Sequence, residues 1–176
     1  MDHICSLPLI LDGLFEHLTQ PLEVYALPEV ISRLQANVFN WEVWPNFTQL
    51  DNGKCQILKF IPLEPNQEYC VETNEGEIKI IPFLAPHTVP ACSFLITNSA
   101  GKKLVYTGDT TYTPSYVEAL NSLGKLDALL IECAFPTRMK EVVLNSKHLC
   151  PKMLKLLVSE LTHQPEQLLV THFKPS

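Results

Sequence analysis

The order in which two kinds of segment appear, turn-linked strands first and strand–helix alternation afterwards, constrains this chain's fold more than any other feature. Five strand-like apolar runs come first: CQILKFIPL, EYCVE, EIKIIPFLA, ACSFLITN and KKLVYTGD. Turn chemistry separates them at Pro65-Asn66 and Asn74-Glu75-Gly76. Asn98-Ser99-Ala100-Gly101 adds a hairpin signal. The texture then alternates: a helix over 115–123, the strand DALLIEC, a loop, a helix over 151–162, and the strand EQLLVTHF. A block of antiparallel strands passing into alternating α and β is a layered α/β arrangement with a mixed sheet.

Upstream, apolar residues at Ile4, Leu7, Ile10, Leu11, Leu14 and Leu18 follow a helical period across 4–18. Pro8 is tolerated only in the first turn, so that helix begins near Leu7. EVYAL reads as a short strand, and Pro28 opens a helix over 29–35. The aromatic stretch NVFNWEVWPNF is irregular; its Trp41 and Trp44 read as packing under a loop rather than as a platform for a base.

The 176 residues suit one domain, 1–176, and 46% hydrophobic against 18% charged residues is the balance of a folded globular chain. A net charge of −6, with basic runs no longer than Lys102-Lys103 and Arg138-Met139-Lys140, argues against a nucleic-acid partner. No apolar run approaches the ~18 residues of a membrane span. The six cysteines, Cys5, Cys55, Cys70, Cys92, Cys133 and Cys150, show no C-x-x-C spacing and read as reduced core residues of a cytoplasmic protein. No basic region precedes the first apolar stretch, so the N-terminus does not read as an export signal, although one upstream of Met1 stays open.

Metal ligands on sheet scaffolds collect at strand ends. His87 follows EIKIIPFLA, Asp109 follows KLVYT, and His172 ends EQLLV. With Asp2 and His3 they form a His/Asp set suited to zinc, manganese or iron, in which a carboxylate can bridge two metals. Each residue alone is unremarkable, since a histidine after a strand is usually a surface residue and Gly-Asp-Thr is usually a turn. The remaining histidines read blandly: His17 as a solvated helix residue, His163 as a cation beyond a helix C-terminus.

The order Asp-His, His, Gly-Asp, Thr-His resembles the metallo-β-lactamase superfamily. PHTVPACSFLI, KLVYTGDTTYTP, LLIECAFP, KHLCPKMLKLLVSEL and LLVTHFKP, together with VYALPEVISRLQANVFNWEVWPNF, resemble the class II 3′,5′-cyclic nucleotide phosphodiesterases across nearly the whole chain. The resemblance implies an α/β, metallo-β-lactamase-like αββα sandwich, incomplete because the opening strands are missing. It also implies hydrolysis of cyclic AMP or cyclic GMP to 5′-nucleotides, with two zinc ions per intact site or manganese or iron in their place. It assigns Asp2 and His3 to the second metal, His87 to the first, Asp109 to the bridge and His172 to the second. Asp2 and Asp109 count among the catalytic residues. His148 in SKHLCP is the third, as phosphate contact or general acid; Ser146-Lys147 stand where that loop usually has a small residue and glycine. Thr110 and Glu132 are placed to support the ligands from behind.

The chain departs from the family pattern at its start. Both histidines of the family's H-x-H are absent before Asp2-His3, and Pro8 replaces an aliphatic residue. The expectation is therefore a truncated enzyme with a defective first metal site. Its exposed apolar sheet edge would favour poor solubility or a homodimer. Three other readings stand beside it: a tRNA 3′-processing endonuclease-like metallohydrolase, a non-catalytic fragment, and, more distantly, a glyoxalase-type thioesterase.

Overall fold

Prolines mark where most of the helices begin. In the structure, a computed structural model that describes residues 4–174, the helices are α1 (Leu7–Leu14), α2 (Pro28–Asn37), α3 (Pro114–Ser122), α4 (Lys140–Ser146) and α5 (Pro151–Ser159). All but α4 carry proline in the first two helical positions, where the missing N–H breaks no helical bond and the fixed φ is already helical. The chain divides into two compact units, on either side of Leu63.

In the first unit, β1 (Leu22–Ala26) and β2 (Leu58–Pro62) form a two-stranded parallel sheet in the register Leu22 opposite Leu58. Its core is Leu11, Leu34, Phe39, Phe47, Ile57 and Leu58, with the Phe39 and Phe47 rings edge to face at 5.8 Å. The sequence placed CQILKFIPL at the head of the antiparallel block; the structure corrects this. Only Leu58–Pro62 is strand, and it belongs to a separate sheet. The connection from β1 runs through α2 and the long aromatic segment, and a crossover of that length returns a strand parallel to its partner. Within the aromatic segment, Trp44 packs against the core. Trp41 instead is 58% exposed, with Nε1 donating to Gln49 Oε1 at 3.1 Å.

In the second unit, β3 (Tyr69–Thr73), β4 (Gly76–Leu84), β5 (Cys92–Thr97), β6 (Lys103–Tyr106), β7 (Ala128–Glu132) and β8 (Gln167–Thr171) form one sheet in sequence order. Pairs β3–β4, β4–β5 and β5–β6 are antiparallel, while β6–β7 and β7–β8 are parallel. This is the mixed sheet the sequence implies. The hairpin at Asn98 forms as the turn chemistry requires: Gly101 takes φ +75°, and Asn98 Oδ1 accepts from the amides of Ala100 and Lys102.

Val105, Leu129 and Ile131 point into a core that α3 closes with Tyr116 and Leu120, α5 with Leu157, and the turn after α5 with Leu161. The Tyr116 hydroxyl meets Ser93 Oγ at 2.5 Å, and burial pushes the phenol up to about 12. At the far edge, β8 exposes Leu168, Leu169 and Val170. Of the cysteines, Cys133 and Cys150 are buried but Cys5 and Cys70 are exposed, so the core reading holds for part of the set. Helix α4 falls where the sequence suggests a loop. At seven residues, with only Val143 buried, it is too short to show a helical period. Among the described residues no helix is long and apolar enough to cross a membrane.

Candidate metal centre

Strand direction brings the candidate residues together. Both β4 and β6 are antiparallel to β5, and β6, β7 and β8 are mutually parallel. Four strands, β4, β6, β7 and β8, therefore point the same way and end on one edge of the sheet. His87 follows β4, Asp109 follows β6, Glu132 ends β7 and His172 follows β8. The crevice beyond the carboxyl ends of such strands is where open α/β sheets place their sites. His148 reaches the same edge from the turn between α4 and α5.

Asp109 is the centre of the group. Its Oδ2 lies 3.6 Å from His87 Nε2 and its Oδ1 lies 3.3 Å from His172 Nε2. Gly108 sets that position, with φ +58°. A Cβ there would stand 3.2 Å from the Cys92 carbonyl oxygen on β5, so only glycine lets the chain turn this tightly against the neighbouring strand. Gly108→Ala is expected to cost about 1–2 kcal/mol from the left-handed backbone and to displace Asp109. A thermal melt unchanged from the parent's would refute this. Tyr106, just upstream, has its phenol raised above the ordinary value by burial and by the charge of Asp109.

The histidines are fixed by what holds their other nitrogen. His87 Nδ1 lies 3.1 Å from the Lys147 carbonyl; a carbonyl only accepts, so Nδ1 carries the proton and Nε2 is left for the centre. His148 is 5% exposed, and its Nδ1 lies 2.7 Å from Glu132 Oε1, again directing Nε2 away from its anchor. The ring centroids of His87 and His148 are 5.0 Å apart, and those of His148 and His172 are 5.4 Å apart. His172 sits at φ +63°, an uncommon backbone for a residue with a side chain and one that recurs at functional sites.

Glu132 ties the loops of the site to the sheet. It is 1% exposed. Oε1 accepts from Thr110 N at 2.9 Å and from His148, while Oε2 accepts from Ala134 N and Leu149 N, both at 3.2 Å. A buried carboxylate with this many donors is satisfied as an acceptor. The sequence places Glu132 at this sheet edge to orient a histidine or to anchor a loop, and here it does both; that it joins three separate loops is hidden by sequence distance.

His87, Asp109 and His148 each offer a ligand atom, all within 4.8 Å of one another. Mixed imidazole and carboxylate donors suit a divalent cation such as zinc or manganese, so the residues present fit the group. His148, read from the sequence as phosphate contact or general acid, is itself a member of this cluster. Asp2 and His3 lie outside the described residues, and their assignment stands on the sequence.

The architecture matches that of metallo-β-lactamase-fold proteins. The fold protein YhfI of Bacillus subtilis superimposes with a TM-score of 0.73 at 18% identity, covering 99% of this chain and 61% of that one. Unliganded yeast PDE1 superimposes with a TM-score of 0.67 at 23% identity, covering 88% and 49%. The profile of the class-II cAMP phosphodiesterases matches residues 1–175, and the chain belongs to that family. A 3′,5′-cyclic-nucleotide phosphodiesterase of Aliivibrio fischeri is 27% identical over 145 residues, 74% of this chain and 43% of the relative. The chain spans about half the length of the curated relatives it matches.

Proposed function

We infer that this chain carries the metal centre of a phosphodiesterase that opens 3′,5′-cyclic nucleotides to 5′-nucleotides. The observation that supports it most is the convergence of His87, Asp109, His148 and His172 on one sheet edge, with Glu132 clamping His148. Family membership supplies the substrate class. His87, Asp109 and His172 are the described residues assigned to hold a divalent cation. When bound, such a cation supplies charge stabilisation at the phosphoryl group and a hydroxide source near neutral pH. Hydroxide adds to phosphorus, the bond to the 3′ oxygen breaks, and that oxygen takes up a proton. His148 is placed to give it: with Nδ1–H held by Glu132, a ring protonated at Nε2 as well hands that second proton to the leaving oxygen and is left neutral.

The net charge of −6 favours a small phosphodiester over a structured RNA. The test is product analysis with cyclic AMP, cyclic GMP and bis-p-nitrophenyl phosphate after loading with zinc or manganese. Release of 5′-nucleotide is the expected result. Cleavage of the generic diester with both cyclic nucleotides left intact would refute the proposal.

A further inference from the structure

Lys147 occupies a position built for glycine. It caps the C-terminus of α4 at φ +51°, ψ +50°, a left-handed backbone that costs any residue with a Cβ. Glycine would take this backbone without strain, yet the chain carries a lysine here. The backbone carbonyl holds His87 Nδ1 at 3.1 Å, but glycine would supply the same carbonyl. The side chain therefore needs its own explanation. Lys147 is exposed and immediately precedes His148, and its Nζ lies 3.4 Å from the His87 carbonyl oxygen. Among the described residues it forms no ion pair with a carboxylate, a trait it shares with Lys54, Lys103, Lys140, Lys152 and Lys155; what sets it apart is its place beside His87 and His148. In a chain of net charge −6, this places a cation beside the His87 backbone, on the residue that precedes His148.

We propose that Lys147 binds the phosphoryl oxygens of the substrate, leaving its loose contact with the His87 carbonyl to do so. The inference rests on the phosphodiesterase reading for its substrate class. Its Nζ already stands beside the backbone of His87, and its charge offsets the approach of an anion to an acidic protein.

Three variants separate backbone from charge. Lys147→Gly relieves the strain and removes the cation, Lys147→Met removes the cation alone, and Lys147→Arg keeps it. In the metal-loaded protein, Lys147→Gly and Lys147→Met are both expected to bind inorganic phosphate about tenfold more weakly, ~1.4 kcal/mol. Lys147→Arg should stay near the parent. Melting temperature should rise by about 2–4 °C in Lys147→Gly only. The KM for bis-p-nitrophenyl phosphate should rise in parallel with the phosphate dissociation constant. Parental phosphate binding in both uncharged variants would overturn the proposal. So would a loss confined to inhibition by 5′-AMP, which would limit Lys147 to the product. If phosphate affinity follows the charge while cyclic nucleotides stay intact, Lys147 keeps its role and the substrate assignment falls.

Discussion

Glu132→Ala is expected to lower the melting temperature by about 10 °C. The substitution leaves His148 Nδ1–H and the amides of Thr110, Ala134 and Leu149 facing a void in a region 1% exposed. Leaving a buried donor without its partner costs about 1–3 kcal/mol, and each kcal/mol is worth about 2–4 °C in a chain of this length. Glu132→Gln keeps the shape but puts an amide NH2 against backbone N–H donors, so an intermediate loss is expected. The result also bears on the site. With Nδ1 unanchored, His148 can rotate, and its reactive nitrogen no longer has a fixed direction. A melt within 2 °C of the parent for Glu132→Ala would show that the hydrogen bonds to Glu132 contribute little and that the loops are held by packing alone.

The same residue shows how far the sequence can be read. Asp109 and His172 are legible because each directly follows a β-rich apolar run, and a residue there projects from a sheet edge. His87 sits in the same kind of place after β4. Their meeting is less legible. It follows from the direction of each strand, and direction depends on whether a connection is a tight turn or a helical crossover. The turn chemistry at Asn98 and the proline-led helices make that choice readable for β5 to β8.

It fails at CQILKFIPL. That run has the same strand-like composition as its neighbours, yet pairs with β1 across a long connection. Composition carries no record of the partner. Glu132 is legible in part: its place at the sheet edge suits it to orient a histidine or anchor a loop, but its donors come from residues 110, 134, 148 and 149, and only the folded loops bring them to one carboxylate. Lys147 lies between the two. The departure from glycine is visible in the sequence, but its meaning requires the left-handed backbone that the structure supplies.

Asp109→Asn is expected to abolish metal-dependent stabilisation while leaving the metal-free protein almost unchanged. Among the described residues Asp109 is the carboxylate that faces both His87 and His172, at 3.6 Å and 3.3 Å, so its loss removes the negative charge the two imidazoles share. Nothing in the hydrophobic core depends on it, because the core of this unit is built from β4 to β7 and helices α3 and α5. A cation present at about 100 times its dissociation constant stabilises a protein by ~2.7 kcal/mol. That corresponds to a rise of about 5–10 °C in the parent on adding zinc. In Asp109→Asn the rise should vanish at the same zinc concentration, and bound metal measured by elemental analysis should fall by about 100-fold or more in apparent affinity. His148→Ala is the discriminating partner. If His148 acts as proton donor, that variant keeps the zinc-induced rise and loses turnover. If it acts as a ligand, the rise disappears as it does for Asp109→Asn. Retention of the full rise in Asp109→Asn would remove Asp109 from the metal centre and with it the reading of this sheet edge as a metallohydrolase site.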